Sequence, residues 1–100
     1  MTRGAGRQPA VYIMASGRNG TLYVGVTSNL VQRAWQHRTG AIPGFTTRYA
    51  CKHLVFMEQH ADMETAILRE KQIKAGSRAR KLALIEQANP TWRDLYEEIL

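Results

Sequence analysis

The dipeptide Asn19-Gly20 is the feature that most restricts what this chain can fold into, because it separates two runs with strand character. Both residues tolerate the positive φ that tight hairpin turns demand, and the flanking runs Val11–Ser16 and Thr21–Thr27 are rich in β-branched and aromatic residues. An antiparallel hairpin is the expectation. With Asn19 and Gly20 as its two central residues, even positions on the first strand oppose odd positions on the second. Side chains alternate between sheet faces, so Tyr12, Met14 and Ser16 share a face with Tyr23, Gly25 and Thr27. The opposite face carries Val11, Ile13, Ala15, Leu22, Val24 and Val26 and is expected to be the core side. The first face then presents two phenols beside a glycine, whose missing side chain permits a close approach.

Downstream, Thr27 or Ser28 is placed to cap a helix that Gly40 closes, with Leu30, Val31, Ala34 and Trp35 as its apolar stripe. The segment AIPGFTTRYACK reads as a loop broken at Pro43-Gly44, and His53–Gln59 as a buried third strand. Asp62 caps a helix that stops at Gly76. Ser77 opens another that ends before Asn89-Pro90, and a short last helix lies around WRDLYEEIL. The order β-β-α-β-α-α plus a terminal helix indicates an α+β fold. Pattern alone leaves open whether the third strand is antiparallel or reached by a parallel crossover. A chain of 100 residues, 44% hydrophobic and 22% charged, supports one modest core and argues against disorder. Residues 1–10 are expected to form a flexible basic arm, with Arg3 and Arg7 available to phosphates, ahead of one domain over 11–100.

Lys and Arg number 14 against 8 Asp and Glu, a net charge of +6, which favours a polyanionic partner: nucleic acid ahead of a membrane surface. No apolar run is long enough to span a bilayer and the N-terminus lacks a signal-peptide stretch, so a cytoplasmic protein with no membrane partner is expected. The single cysteine, Cys51, excludes an internal disulfide and a cysteine zinc cage, and reads as a structural thiol.

Several residues go beyond what a stable fold requires. Arg33 and His37 are four apart on the first helix, neighbours at the margin of its stripe. There a guanidinium can reach over the sheet and grip a phosphate, or remain a solvated flank. Glu70 falls in the middle of the stripe Met63, Ala66, Ile67 and Ile73, where an unpaired carboxylate would cost several kcal/mol. It either holds a cation or forms a salt bridge, to Lys74 or to Arg33. A lone carboxylate suits Mg²⁺, which keeps most of its waters. Metal and arginine can share the charge growing on a phosphoryl group while a phenol takes a proton from water.

At these residues the chain resembles the GIY-YIG endonuclease superfamily, in particular its small single-domain bacterial members. The two short motifs correspond to Ala10-Val11-Tyr12 and Tyr23-Val24-Gly25, and the likeness extends through REKQIK to the tail LIEQANPTWRDLYEEIL. The resemblance implies a three-stranded antiparallel sheet flanked by helices. It also implies that Tyr12 and Tyr23 are paired active-site tyrosines, that Gly25 keeps the site open, that Arg33 is the catalytic arginine, that His37 assists, and that Glu70 binds one Mg²⁺ or Mn²⁺. The activity implied is endonucleolytic cleavage of nucleic acid, DNA ahead of RNA, at branched, flapped or damaged structures in repair or processing. The alternative is a binding module that keeps the scaffold and does not cut. Substrate contacts are expected from Lys71, Lys74, Arg78, Arg80 and Lys81, directed at the backbone and sensitive to salt. The chain departs from the family pattern at Ala10, Val11 and Val24, which alter no reacting group. It departs also at Val26, where some repair nucleases carry lysine, and at Gly76, where relatives often have tryptophan.

Overall fold

The computed structural model describes residues 8–41 and 43–100. Residues 1–7, including Arg3 and Arg7 of the expected arm, lie outside them. Strand β1 (Ala10–Ala15) and strand β2 (Leu22–Thr27) form the hairpin, followed by helix α1 (Leu30–Thr39), a single turn α2 (Phe45–Arg48) and strand β3 (His53–Gln59). Helices α3 (Met63–Ala75), α4 (Arg78–Ala88) and the short α5 (Tyr96–Ile99) complete the chain. The sheet order is β2-β1-β3 and both pairings are antiparallel, so there is no parallel crossover. Ala10 already belongs to β1, and the Pro9 carbonyl accepts from His60 N–H at 2.8 Å, so the folded body starts before residue 11.

The turn differs from its expected form. Ser16 N–H donates to the Thr21 carbonyl and Gly20 N–H to the Gly17 carbonyl, both at 3.0 Å, so Arg18 and Asn19 are the central residues. Asn19 supplies the positive φ, at 57°. The register moves by two residues, which leaves every side chain on its expected face; a slip of one would have inverted them all. Tyr12 now lies directly opposite Gly25, and Met14 opposite Tyr23.

Both sheet faces are covered. Every residue of β1 is 0% exposed, because it is the central strand with helices on either side. Val11, Ile13, Val24, Val55 and Phe56 pack with Ala66 and Ile73 of α3, Ile85 of α4 and Trp92. Ala10, Tyr12, Met14 and Leu54 pack with Leu30 and Ala34 of α1, Cys51 and Ile99. A shift in register between Ile13 and Met14 passes over Val55, which lets Val55 and Phe56 serve the same core. The tyrosine face, expected to be the open one, is therefore a second core.

Local caps set the helix limits. Asn29, not Thr27 or Ser28, caps α1 by accepting from Gln32 N–H, while the Thr27 hydroxyl accepts from Asn29 N–H. Asp62 caps α3 and Ser77 caps α4. The tail is a clamp. Asn89 at the end of α4 is fully buried; its amide donates to the Val55 and Arg93 carbonyls at 3.1 and 2.9 Å. Asp94 accepts from Leu54 N–H and Tyr96 N–H and pairs with Arg38, which also lies over the Tyr96 ring. The motif NPTWRDL thus ties the last helix to β3 and α1. Among the described residues no helix is long and apolar enough to cross a membrane.

Candidate active site

The site forms where α1 crosses the Tyr12 face of the sheet. Leu30, Ala34 and His37 are the buried positions of α1, spaced i, i+4, i+7 on one side of a 3.6-residue helix. His37 is therefore inside the stripe rather than at its margin. Trp35, expected within it, is 51% exposed. The rings of Tyr12, Tyr23 and His37 make a three-way cluster with centroids 5.4 to 6.3 Å apart.

Tyr12 Oη lies 2.9 Å from His37 Nε2, and His37 Nδ1 lies 2.9 Å from Thr46 Oγ1. The Arg33 charge acts on the Tyr12 phenol. A cation nearby favours turning the oxygen lone pairs towards it, which sends the hydroxyl proton to Nε2. That leaves the imidazole proton on Nδ1, donated to Thr46. The chain Tyr12–His37–Thr46 then has one consistent set of proton positions, assigned from this network.

Electrostatics agree with that assignment. Burial and the neighbouring Tyr23 push the Tyr12 phenol well above its ordinary value, although Arg33 pulls the other way, so Tyr12 keeps its proton at neutral pH. Burial, reinforced by the Arg33 charge, lowers His37 to about 4, so the imidazole is neutral. The Cys51 thiol is pushed up by burial and is a core group, as expected.

Gly25 sets the packing of this cluster. A Cβ built on it would lie 2.5 Å from both Cζ and Oη of Tyr12 and 2.9 Å from Cε1. The bare backbone opposite Tyr12 is what lets the phenol lie flat against β2 and reach His37.

Glu70 is 9% exposed on the buried side of α3, which packs on β2 and β1. Its charge bears on the Tyr12 phenol, so it belongs to the same neighbourhood. Its carboxylate pairs with Lys74 at 2.8 Å, the salt-bridge alternative raised by spacing. Lys74 is 52% exposed, so its ammonium can withdraw into solvent and release the carboxylate. Among the described residues no group of three or more His, Cys, Asp or Glu could hold a metal. The donor set is one buried carboxylate, which fits a hard cation that retains its waters.

The structure therefore brings Tyr12, Tyr23, Gly25 and His37 into contact, with the charges of Arg33 and Glu70 bearing on them. The expected substrate-contact residues divide. Lys71 is exposed, whereas Lys74 pairs with Glu70. Arg78 donates to the Asn19 and Gly20 carbonyls at 2.7 and 2.9 Å, bracing the hairpin turn. Lys81 Nζ donates to the Lys74 and Gly76 carbonyls, closing the end of α3. Arg80 is exposed. Sequence reasoning missed Thr46, 3% exposed on α2, within a stretch read as loop. A threonine in FTTRYA carries no mark of its role; its contact with His37 exists only in the folded chain.

A sequence model described as the GIY-YIG catalytic domain matches residues 8–83. A UPF0213 protein of Staphylococcus haemolyticus is 35% identical over 77 residues, covering 77% of this chain and 93% of the relative. UPF0213 proteins of Staphylococcus aureus are 32% identical over the same spans. The solution structure of a UPF0213 protein from Bacillus halodurans is similar, with a TM-score of 0.55 at 24% identity over 87% of this chain and 92% of that one. That likeness is one of fold. The catalytic-domain match implies nuclease chemistry on nucleic acid; the relatives' names add no substrate.

Proposed function

The chain belongs to the GIY-YIG family, and from that premise we propose that it is a divalent-metal-dependent endonuclease hydrolysing phosphodiester bonds, in DNA ahead of RNA. The observation that carries this reading is the buried Tyr12 hydroxyl, which lies 2.9 Å from a neutral His37 and feels the Arg33 charge. Tyrosines packed for stability alone need neither a neighbouring cation nor a buried imidazole.

The roles follow from protonation. Tyr12 holds its proton and cannot accept one, so it positions Arg33 and Tyr23. Arg33 grips the phosphate through its fork of donors, stabilising negative charge as the attacking oxygen adds. Tyr23, partly open to solvent, takes the proton of the attacking water. His37 is a poor proton store with a value near 4 and serves to fix the Tyr12 hydroxyl. A Mg²⁺ or Mn²⁺ ion held by Glu70 would supply positive charge at the phosphoryl and leaving oxygens. Lys74 occupies Glu70 at 2.8 Å, and a pair that stays closed favours the non-cutting alternative.

The test is incubation with labelled duplex, flapped, branched and single-stranded DNA, and with RNA, in Mg²⁺ or Mn²⁺. Product that disappears in both Glu70→Ala and Arg33→Ala supports the reading. Cleavage surviving both variants rejects the assigned roles, and salt-sensitive binding with no product in either metal favours the scaffold that binds without cutting.

A further inference from the structure

Helices α3 and α4 are joined by only Gly76 and Ser77, and a cavity of about 500 Å³ lies between them. Its floor is apolar, from buried Ile73 and half-buried Leu84. Its polar lining is cationic or neutral: Arg69, Arg80, Lys81 and the Gln72 amide, with no carboxylate among the described lining residues. The volume falls within the range of roughly 300–1,000 Å³ typical of small-molecule sites.

A packing void would be lined by apolar groups. Here three cations converge on one opening, and two of them are held in advance. Glu58 fixes Arg69 from behind through bonds of 2.9 and 3.4 Å, and two carbonyls hold the Lys81 ammonium at 2.7 and 3.2 Å. Little side-chain freedom is left for a ligand to remove. Gly76 lines the opening without a side chain: a Cβ there would lie 3.3 Å from the Ile73 carbonyl oxygen and 3.7 Å from the Arg80 side chain. On α3, Arg69 and Gln72 lie between a quarter and a half turn from Glu70, at about 100° per residue. The cavity is thus on the flank of the helix facing α4, apart from the tyrosine cluster.

We propose that this α3–α4 groove is a second nucleic-acid site, which takes one nucleotide of a single-stranded segment with its base on Ile73 and Leu84 and its phosphate between Arg80 and Lys81. A cationic rim over an apolar floor matches an anionic phosphate joined to a flat heterocycle; it matches neither a bare anion nor a lipid chain. The inference shares the ligand class of the preceding reading and none of its chemistry.

The test is an amide NMR titration of the full chain with AMP, inorganic phosphate and a single-stranded hexathymidine. Shifts from AMP and hexathymidine should cluster at Gly76, Arg80 and Leu84, and AMP should bind at least about 5-fold more tightly than phosphate, since the base buries apolar surface. Gly76→Leu fills the groove without changing charge, and Gly76 has a φ of −74°, which any residue adopts. It and Arg80→Ala should each weaken both ligands about 10-fold or more, the scale of one charge-assisted hydrogen bond. Lys52→Ala, which removes an exposed cation elsewhere, should change binding by less than about 2-fold, in line with an unpaired surface charge. The inference is overturned if phosphate binds as well as AMP, if hexathymidine shifts only the tyrosine cluster, or if Gly76→Leu and Arg80→Ala, folded as judged by their spectra, bind like the wild type. No readout needs cleavage. An active nuclease with a silent groove loses only this inference, and a groove that binds in a chain that cuts nothing loses only the nuclease reading.

Discussion

Gly25→Ala is the sharpest probe of the cluster, because it adds one methyl group at a known distance. The new Cβ would sit 2.5 Å from Cζ and Oη of Tyr12, whereas carbon contacts settle at about 3.5–4.0 Å. The ring must therefore withdraw by about 1 Å. Tyr12 is fully buried, with Tyr23 and His37 against it, so withdrawal lengthens the 2.9 Å bond to His37 beyond hydrogen-bonding range. Overpacking costs about 1–3 kcal/mol. The lost buried hydrogen bond costs about 1–3 kcal/mol more. Alanine recovers about 0.5–1 kcal/mol over glycine in a strand. The net loss is about 1–5 kcal/mol, and at about 4–8 °C per kcal/mol Tm falls by at least about 4 °C. Denaturation of Gly25→Ala in the wild-type and Tyr12→Leu backgrounds measures the coupling. Without the ring to strike, the methyl group should stabilise the chain by about 0.5–1 kcal/mol, since only the backbone preference for alanine remains. Equal losses in the two backgrounds, or an unchanged Tm in the first, would refute the close approach on which the geometry depends.

Thr46→Val keeps the shape beside His37 and leaves Nδ1 without its partner. Stability should fall by about 1–3 kcal/mol and the imidazole nitrogen resonances should show a mixture of tautomers, while Thr46→Ser should restore both. The His37 imidazole is lowered to about 4 in the folded chain against about 6.5 unfolded, so between those values the unfolded chain binds the extra proton. Its contribution, up to about 3 kcal/mol, is present above pH 6.5 and is lost as pH falls towards 4. The difference in denaturation midpoint between wild type and His37→Phe, followed from pH 7 to 4, checks this, and a constant difference would refute it. Lys74→Ala frees the Glu70 carboxylate, so the metal concentration for half-maximal cleavage should drop several-fold, by about the 0.2–1 kcal/mol or more of an ion pair with one side exposed. An unchanged metal requirement would show that the ammonium does not compete.

How far the fold could be read from sequence depended on whether a signal was local. Asp62, Ser77 and the third strand lie where spacing placed them, because caps and strands draw on residues a few positions away. The hairpin was recognisable although its turn is centred one residue earlier, since a two-residue change of register preserves both faces. In the sequence the tail shows a helix end and a family likeness; its role as a clamp lies in the fold, where Asn89 bonds to Val55 and Asp94 to Leu54 across more than thirty residues. Spacing sets His37 at the edge of its helix stripe. It is buried because Tyr12 and Thr46 occupy both of its nitrogens.

By itself the sequence determined the parity that sets Tyr12, Tyr23 and Gly25 on one face, the inward position of Glu70 and the excess of positive charge. Each follows from the period of a strand or helix, or from a count. Only the tertiary structure decided that the tyrosine face is a second core, that Glu70 pairs with Lys74, and that Thr46 completes the hydrogen-bond chain. Those outcomes depend on which groups meet across distant segments, and burial there raises the energy of any polar atom left unmatched.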